Sequence, residues 1–376
     1  MKVGMITHDF YPPIGGQGVE AFTLYQQFNK KNHPKIVVFS SRENSLDNHI
    51  KISTPSNNML GPLLFSIYVS LELNKIINTH KLDVLQFYGG PGGVFLLKKP
   101  IIPTIYIANH TYAQQFRHFK KWKYKILMLI EKIGYIHATK IISISSTTKK
   151  SLIDDYGIPP EKITVIPVTV DLSKFHYKNV KRIPHSVLYV GRLDKRKGIP
   201  YLIQAIKYVL AEVPTVTLYI IGEGNLKKRL KELIKKKGLQ KHAVLLGKIP
   251  TEELVEWYNK VDVFTLPSLF EGFGIVLLEA MACRTPVIGT NTQGIVDVII
   301  PGKTGILVPP KNAIALGKAI EQLLTTPKLR KRLSHNAYKR LSKDFSLDAL
   351  TNRIIQQIEQ ATTQGAKNSE RSFSDS

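Results

Sequence analysis

The sequence predicts an α/β protein made of two doubly wound parallel-sheet domains in tandem. Three observations carry this. Short apolar runs alternate with helical stretches, which is the pattern of a parallel sheet covered on both faces. The alternation lapses after Asp171 and restarts at Ser186. The length, 376 residues, at about 100–200 per domain gives two domains, each large enough to bury its own core.

Val3–Thr7 reads as a buried strand, Val19–Lys31 as a helix and Lys35–Phe39 as a second strand. A helix over Phe65–Asn78 follows, then strands at Val84–Phe87, Ile101–Ala108 and Ile141–Ser145. The second series has strands at Ser186–Val190, Val216–Ile221, Ala243–Leu246, Val263–Leu266 and Pro286–Gly289. Helices fall near Ile199–Ala211, Asn225–Lys237, Glu252–Asn259 and Gly274–Ala282. These bounds give a first domain over 1–172 and a second over 185–345. An amphipathic helix over 347–361 is expected to pack back on the first domain, and 362–376, Ser-rich and polar, reads as a disordered tail.

The composition, 43% hydrophobic and 22% charged, excludes a collagen-like or wholly disordered chain. One cysteine, Cys283, permits neither an intrachain disulfide nor a CxxC metal site and points to a reducing, cytoplasmic setting. The first residues meet polar side chains too soon for a secretory h-region. Nowhere do about 18 apolar residues run without a charge. The net charge of +25 calls for a negative partner, either nucleic acid, an anionic membrane or a phosphorylated ligand. No zinc knuckle, RNP pattern or basic zipper is present, so nucleic acid is not expected as a partner.

After the first strand comes Asp9-Phe10-Tyr11-Pro12-Pro13-Ile14-Gly15-Gly16-Gln17-Gly18. Gly16, Gly18 and Ala21 match G-x-G-x-x-A, but two prolines separate them from the strand, whereas the dinucleotide fingerprint needs its first glycine directly after it. Two readings remain: a glycine loop that approaches a ligand ahead of a helix, or an ordinary connection. In the second domain Gly191-Arg192-Leu193-Asp194-Lys195-Arg196-Lys197-Gly198 sets basic groups between a strand end and a helix start. That placement suits phosphates; alone it could equally be a solvated loop. Gly222-Glu223-Gly224 repeats glycines at a strand's carboxyl end. The most informative stretch is Pro267-Ser268-Leu269-Phe270-Glu271-Gly272-Phe273-Gly274-Ile275-Val276-Leu277-Leu278-Glu279-Ala280. It offers a carboxylate, then a helix start with free amides, then a second carboxylate, an order that suits sugar hydroxyls, a diphosphate and a ribose.

This segment, with Gly15-Gly16, Gly191-Arg192, Lys197-Gly198 and the later Pro286-Val287-Ile288, Gly294 and Asp297, closely resembles the GT-B retaining glycosyltransferases of family 4, over residues 1 to about 361. The resemblance implies two Rossmann-like domains facing a cleft and closing on a nucleotide-diphosphate sugar. It implies that Arg192 and Lys197 neutralise the diphosphate with the amides of Ile275, Val276 and Leu277, and that Glu279 holds the ribose. Glu271 and the Gly272–Phe273–Gly274 backbone would contact the transferred sugar, and Gly222 would line the donor site. Gly15 and Gly16 would approach the donor phosphate, and His110, in Ala108-Asn109-His110-Thr111, aligns with the family's active-site histidine. Retention without a covalent nucleophile is also what the resemblance implies. No two aspartates stand one residue apart, so no D-x-D metal site is available; the expectation is no metal and no cofactor, the nucleotide sugar being a substrate. Two departures stand out: Val168-Thr169-Val170-Asp171 where the family carries Asn-Gly-Val-Asp, and Asp297 in place of a glutamate.

Between Arg117 and Lys150 nine Lys or Arg accompany a single acid, Glu131. On one helix, Phe116, Phe119, Trp122, Ile126, Ile130 and Ile133 fall on one side, and Arg117, Lys121, Lys125 and Lys132 on another. A basic amphipathic helix with Trp and Phe reads as an interfacial segment; a core helix with a basic outer face has the same periodicity. The expectation is an anionic membrane partner through 116–133, peripheral attachment at the inner face, and a lipid-linked or glycan acceptor. Rival readings are a nucleotide-sugar epimerase, a glycogen-synthase-like polymerase, or a catalytically degenerate nucleotide- or nucleic-acid-binding protein.

Overall fold

The computed structural model describes residues 1–13, 15–43, 45–54 and 61–374, with side chains as far as residue 364. The chain divides into two compact units, Met1–Val168 with Asp348–Ser376, and Thr169–Leu347.

The first unit opens with β1 (Lys2–Ile6), α1 (Gly16–Lys31), β2 (Lys35–Ser40), β3 (His49–Lys51), α2 (Gly61–His80) and β4 (Val84–Gly89). It continues with β5 (Thr104–Ala108), α3 (Tyr112–Phe119), α4 (Trp122–His137), β6 (Lys140–Ser143), α5 (Ser146–Tyr156) and β7 (Ile163–Val165). Its seven strands run in the order β3-β2-β1-β4-β5-β6-β7, all parallel. Right-handed crossovers place α1 on one face and α2, α4 and α5 on the other. The core agrees: Phe65, Val69, Leu73 and Ile77 of α2, Tyr135 of α4 and Leu152 of α5 share one apolar cluster with Leu85, Phe87, Tyr106 and Ile141 of the sheet. Strands buried on both faces explain why β1, β2 and β5 read as continuous apolar runs rather than as alternation.

The second unit comprises β8 (Ser186–Val190), α6 (Ile199–Val209), β9 (Thr217–Ile221), α7 (Lys227–Lys236), β10 (Ala243–Gly247), α8 (Thr251–Lys260) and β11 (Val263–Leu266). Next come α9 (Ile275–Ala282), β12 (Val287–Thr290), α10 (Ile295–Val298), β13 (Ile306–Val308), α11 (Ala313–Thr325) and α12 (Pro327–Asp344). Its parallel strands run β10-β9-β8-β11-β12-β13. The strand order reverses between β8 and β11, so the switch point, where open α/β sheets bind ligands, lies between the loops that follow those strands. The last helix, α13 (Leu347–Ser374), lies against the first unit's edge: Gln357 accepts from Thr164 Oγ1 at 2.9 Å and Arg353 donates to the Val165 carbonyl at 2.7 Å.

Three local expectations need correction. Helix α1 begins at Gly16 rather than Val19, because Gly15 is an extended N-cap, its amide held by Asp9 Oδ2 at 2.9 Å while its carbonyl accepts from Val19. The single basic helix over 116–133 is two helices: Lys120 adopts φ 54° as the C-cap of α3, and α4 starts afresh at Trp122. The backbone of 362–374, read as disordered tail, is helical; no proline interrupts it, and the Thr362 and Thr363 hydroxyls bond the carbonyls one turn back. Asp375 and Ser376 lie outside the described residues, as does Ile14 of the glycine loop.

Candidate active site

In the second unit the loops after β8 and β11 are stitched together at the switch point. Leu269 N donates to the Arg196 carbonyl at 2.7 Å. Gly198, which starts α6, has φ +65°, and a Cβ there would lie 2.0 Å from the Pro267 carbonyl oxygen; only glycine permits both the turn and the approach. Asp194 accepts from the Arg196 amide at 3.0 Å and fixes the short turn that carries Lys197.

That stitching brings together two residues 74 positions apart. Lys197 Nζ donates to Glu271 Oε2 at 2.5 Å, both side chains about one-tenth exposed. Ser268 Oγ adds a donor to the same oxygen at 3.3 Å, and the Gly272 amide lies 3.2 Å from Glu271 Oε1. Burial pushes the Glu271 carboxyl up, but the Lys197 and Arg196 charges and the Lys197 and Gly272 hydrogen bonds outweigh it and hold it at about 2. Glu271 is therefore an anion that accepts hydrogen bonds. Arg192, on the same loop, stays 70% exposed, with Nε 3.8 Å from Asp194.

Glu279 lies one turn into α9. Its Oε2 accepts from Tyr258 Oη at 2.6 Å, which leaves Oε1 for a ligand. Burial raises its carboxyl to about 7, against the lowering effect of the Tyr258 bond. Tyr258 is itself fully buried between Phe175 and Phe264. At the head of α9 the Leu277 amide donates to Gly274 O at 2.8 Å, so it is spent within the turn, contrary to expectation; Ile275 and Val276 are the first-turn donors left. Gly222 closes the floor: its amide bonds Gly247 O, and the next residue's carbonyl accepts from Leu193. Of the two departures, Asp171 caps its own turn, accepting from Ser173, and Thr169 Oγ1 donates to Phe345 O. The carbonyls of Asp297 and Val298 are held by Arg340.

In the first unit the strand order reverses between β1 and β4, and the polar groups gather there. Gln17 Nε2 donates to Gly89 O at 3.2 Å, and a Cβ on Gly18 would lie 2.6 Å from the Asp9 carboxylate. Asn109 Nδ2 donates to Glu20 Oε2 at 2.9 Å. Burial raises Glu20 to about 7, the Asn109 bond opposing it. His110 follows β5, with Nε2 3.2 Å from Gln115 Nε2. Behind it Thr111 and Gln114 form a capping box for α3, and Glu131, fully buried, accepts from the Tyr112 amide and from the Tyr135 and Tyr156 hydroxyls. Gly15 and Gly16 are exposed at the head of α1. Among the described residues no group of three or more His, Cys, Asp or Glu could hold a metal ion, and no helix is long and apolar enough to cross a membrane.

Two family models match this chain, Glycosyltransferase Family 4 over residues 14–174 and Glycosyl transferases group 1 over 175–340. The capsular polysaccharide biosynthesis glycosyltransferase CapM of Staphylococcus aureus is 32% identical over 290 residues, 72% of this chain and 75% of that protein. The chain belongs to the group 1 glycosyltransferases. Solved structures share its GT-B fold: sucrose-phosphate synthase from Thermosynechococcus elongatus, TM-score 0.79 at 20% identity over 97% of this chain and 100% of that one; and Anabaena HepE, solved with UDP and glucose, TM-score 0.74 at 17% identity over 96% and 100%.

For this glycosyltransferase, sequence reasoning picked out Lys197, Glu271 and Glu279 but not the residues that hold them. Tyr258 and Ser268 carry no motif of their own. Glu20 stands one helical turn beyond Gly16, and that spacing is the one signal that could have placed it at the head of α1.

Proposed function

We propose that this glycosyltransferase moves a sugar from a uridine- or guanosine-diphosphate sugar to a lipid-linked or glycan acceptor, with retention of anomeric configuration, in cell-envelope glycan or glycolipid synthesis. The observation that carries the reading is the buried Lys197–Glu271 pair beside the head of α9, one helix turn from a Glu279 whose second oxygen is open. CapM supports the polysaccharide class by its name, and HepE supports a uridine nucleotide by its ligand.

Each group has a task set by its charge. The Lys197 ammonium is already fixed in a partly dry site, so a diphosphate meets preorganised positive charge as the leaving group develops its own negative charge. Arg192, loosely tethered, folds onto the phosphates as a bidentate fork. The Ile275 and Val276 amides add the dipole of α9. Glu279 Oε1 accepts a ribose hydroxyl, while Glu271 and the Gly272–Gly274 backbone orient the transferred sugar. The bond from the anomeric carbon to the β-phosphate oxygen breaks as the acceptor oxygen bonds on the same face, and the acceptor proton passes to the departing phosphate. We assign His110 to the transfer step rather than to nucleotide binding, so His110→Ala lowers kcat and spares nucleotide affinity. The exposed lysines of 116–133 draw the enzyme to an anionic membrane that carries the acceptor.

The test is turnover of UDP- and GDP-sugars with lipid extracts or short glycans, the product's anomeric linkage read by proton NMR, with and without EDTA. An α-linked product from an α-linked donor at an unchanged rate in EDTA is expected. An inverted linkage, or release of free sugar or an epimerised donor without a glycoside, overturns the reading.

A further inference from the structure

The first unit carries two helix faces that the described residues leave exposed. From Gly61 to Leu71, α2 has no charged side chain. A helix that is apolar all round belongs in surroundings that are apolar all round. One side meets that condition, since Phe65, Val69, Leu73 and Ile77 enter the core. On the other side Leu64, Ile67 and Tyr68 are exposed, and Leu71 is 75% exposed. Helix α4 repeats the arrangement: Glu131, Gly134 and Tyr135 point inward, while Trp122, Ile126, Leu129, Ile133 and Ile136 form an outward stripe at alternating steps of four and three. Trp122 and Leu129 are 66% and 64% exposed.

The two helices cover the same face of the sheet, joined by the segment between β4 and β5. The Phe95 amide donates to Ser66 Oγ of α2 at 2.8 Å, and Gly134 of α4 packs so close to Leu96 that a Cβ would lie 3.4 Å from its backbone nitrogen. Apolar surface gathered in this way marks an interaction site.

Charge selects the occupant. Lys98, Lys99, Lys121, Lys123, Lys125 and Lys132 are exposed on the linking segment and α4. The acids on the two helices are Glu72, 3.1 Å from Lys75, and the buried Glu131. Lys125 and Lys132 flank the stripe on α4, and Lys125 Nζ stands 4.8 Å over the Trp122 ring. A second copy docked about a two-fold axis would set this patch, lysines included, against itself. A bilayer with anionic headgroups takes both chemistries, the apolar side chains entering the acyl boundary and the lysines reaching back to phosphates.

We propose that α2 and α4 together form one surface that inserts into an anionic bilayer, with Leu71 and Trp122 as its deepest anchors. The proposal rests on the reading of a membrane-borne acceptor and extends it to a second helix and to insertion rather than charge contact alone.

The chain has two tryptophans, Trp122 and Trp257, which makes depth measurable. Trp257→Phe leaves Trp122 as sole reporter; Leu71→Trp in the Trp122→Phe, Trp257→Phe background reports on α2. With vesicles of phosphatidylglycerol and phosphatidylcholine, both reporters shift to the blue and are quenched by brominated lipid. Leu71→Glu and Trp122→Glu each weaken vesicle affinity about tenfold or more, a change of about 1.4 kcal/mol, and about 0.5 M salt weakens binding without abolishing it. Quenching at 122 with none at 71, equal binding to pure phosphatidylcholine, or a dimer that Leu71→Glu dissociates would overturn the proposal. Donor-nucleotide titration of the same variants keeps the two readings separate: loss of vesicle binding with intact nucleotide binding refers to this surface, whereas failure of the wild type to bind nucleotide refers to the donor site.

Discussion

Replacing Lys197 by methionine keeps the volume and removes the charge. In the native protein Glu271 sits at about 2 rather than 4.5, a displacement of roughly 3 kcal/mol at about 1.4 kcal/mol per unit. Its folded value is depressed, so the contribution is present above 4.5 and is lost as pH falls from 4.5 through about 2. Lys197→Met leaves a buried carboxylate with Arg196, Ser268 and the Gly272 amide as its remaining support, and loss of one partner of a buried pair costs about 3–5 kcal/mol. The double variant with Glu271→Gln recovers most of that cost, because no isolated charge remains. The assay is urea unfolding followed by Trp257, which belongs to the second unit, in a Trp122→Phe background, from about pH 2.5 to 7.5. The single variant is expected to lose stability at pH 7 and to lack the wild type's decline below pH 4.5. A single variant within about 1 kcal/mol of wild type, or a double variant no more stable than the two single losses added, would refute the pairing.

Nucleotide affinity should rise with pH through about 7 as Glu279 ionises; Tyr258→Phe, by removing the bond that lowers this carboxyl, should move the midpoint upward and raise KM more than it changes kcat, as calorimetry and initial rates will show. In the first unit, burial raises Glu131 to about 7 against its three hydrogen bonds. Its contribution is therefore full below 4.5 and falls by roughly 3 kcal/mol as pH rises through 7; Glu131→Gln should flatten that slope in pH-resolved denaturation followed by Trp122. Gly198→Ala forces a Cβ at φ +65° against the Pro267 carbonyl and should destabilise the second unit by about 2 kcal/mol or more, a loss visible as a lower Tm.

Much of this was legible in the residues. Ten of the thirteen strands announced themselves because parallel strands buried on two faces are apolar without interruption, as in Val187–Val190; β3, β7 and β13, three residues each, are too short to stand out. The loops after β8 and β11 were legible because glycines and basic residues follow those strands directly. What stayed hidden depends on distance in the chain. Nothing in the spacing says that Lys197 and Glu271 touch, or that Tyr258 on α8 reaches Glu279 on α9. The break at Lys120 was hidden for another reason: the apolar period continues across it, and a lysine rather than a glycine adopts the left-handed conformation that ends α3. The signal that did exist was Thr111-x-x-Gln114, a capping box marking a helix start just after His110. The apolar outer face of α2 was invisible because sequence periodicity cannot tell a face packed on the sheet from one left exposed.

The most direct test of the central claim is calorimetric titration of the protein at about pH 8 with UDP, GDP and ADP, repeated with Arg192→Ala and Glu279→Ala. Saturable binding of UDP or GDP, lowered at least tenfold by either substitution (about 1.4 kcal/mol), is the expected result. Absence of binding by all three nucleotides, or binding that neither substitution weakens, would contradict the donor site proposed for the second unit.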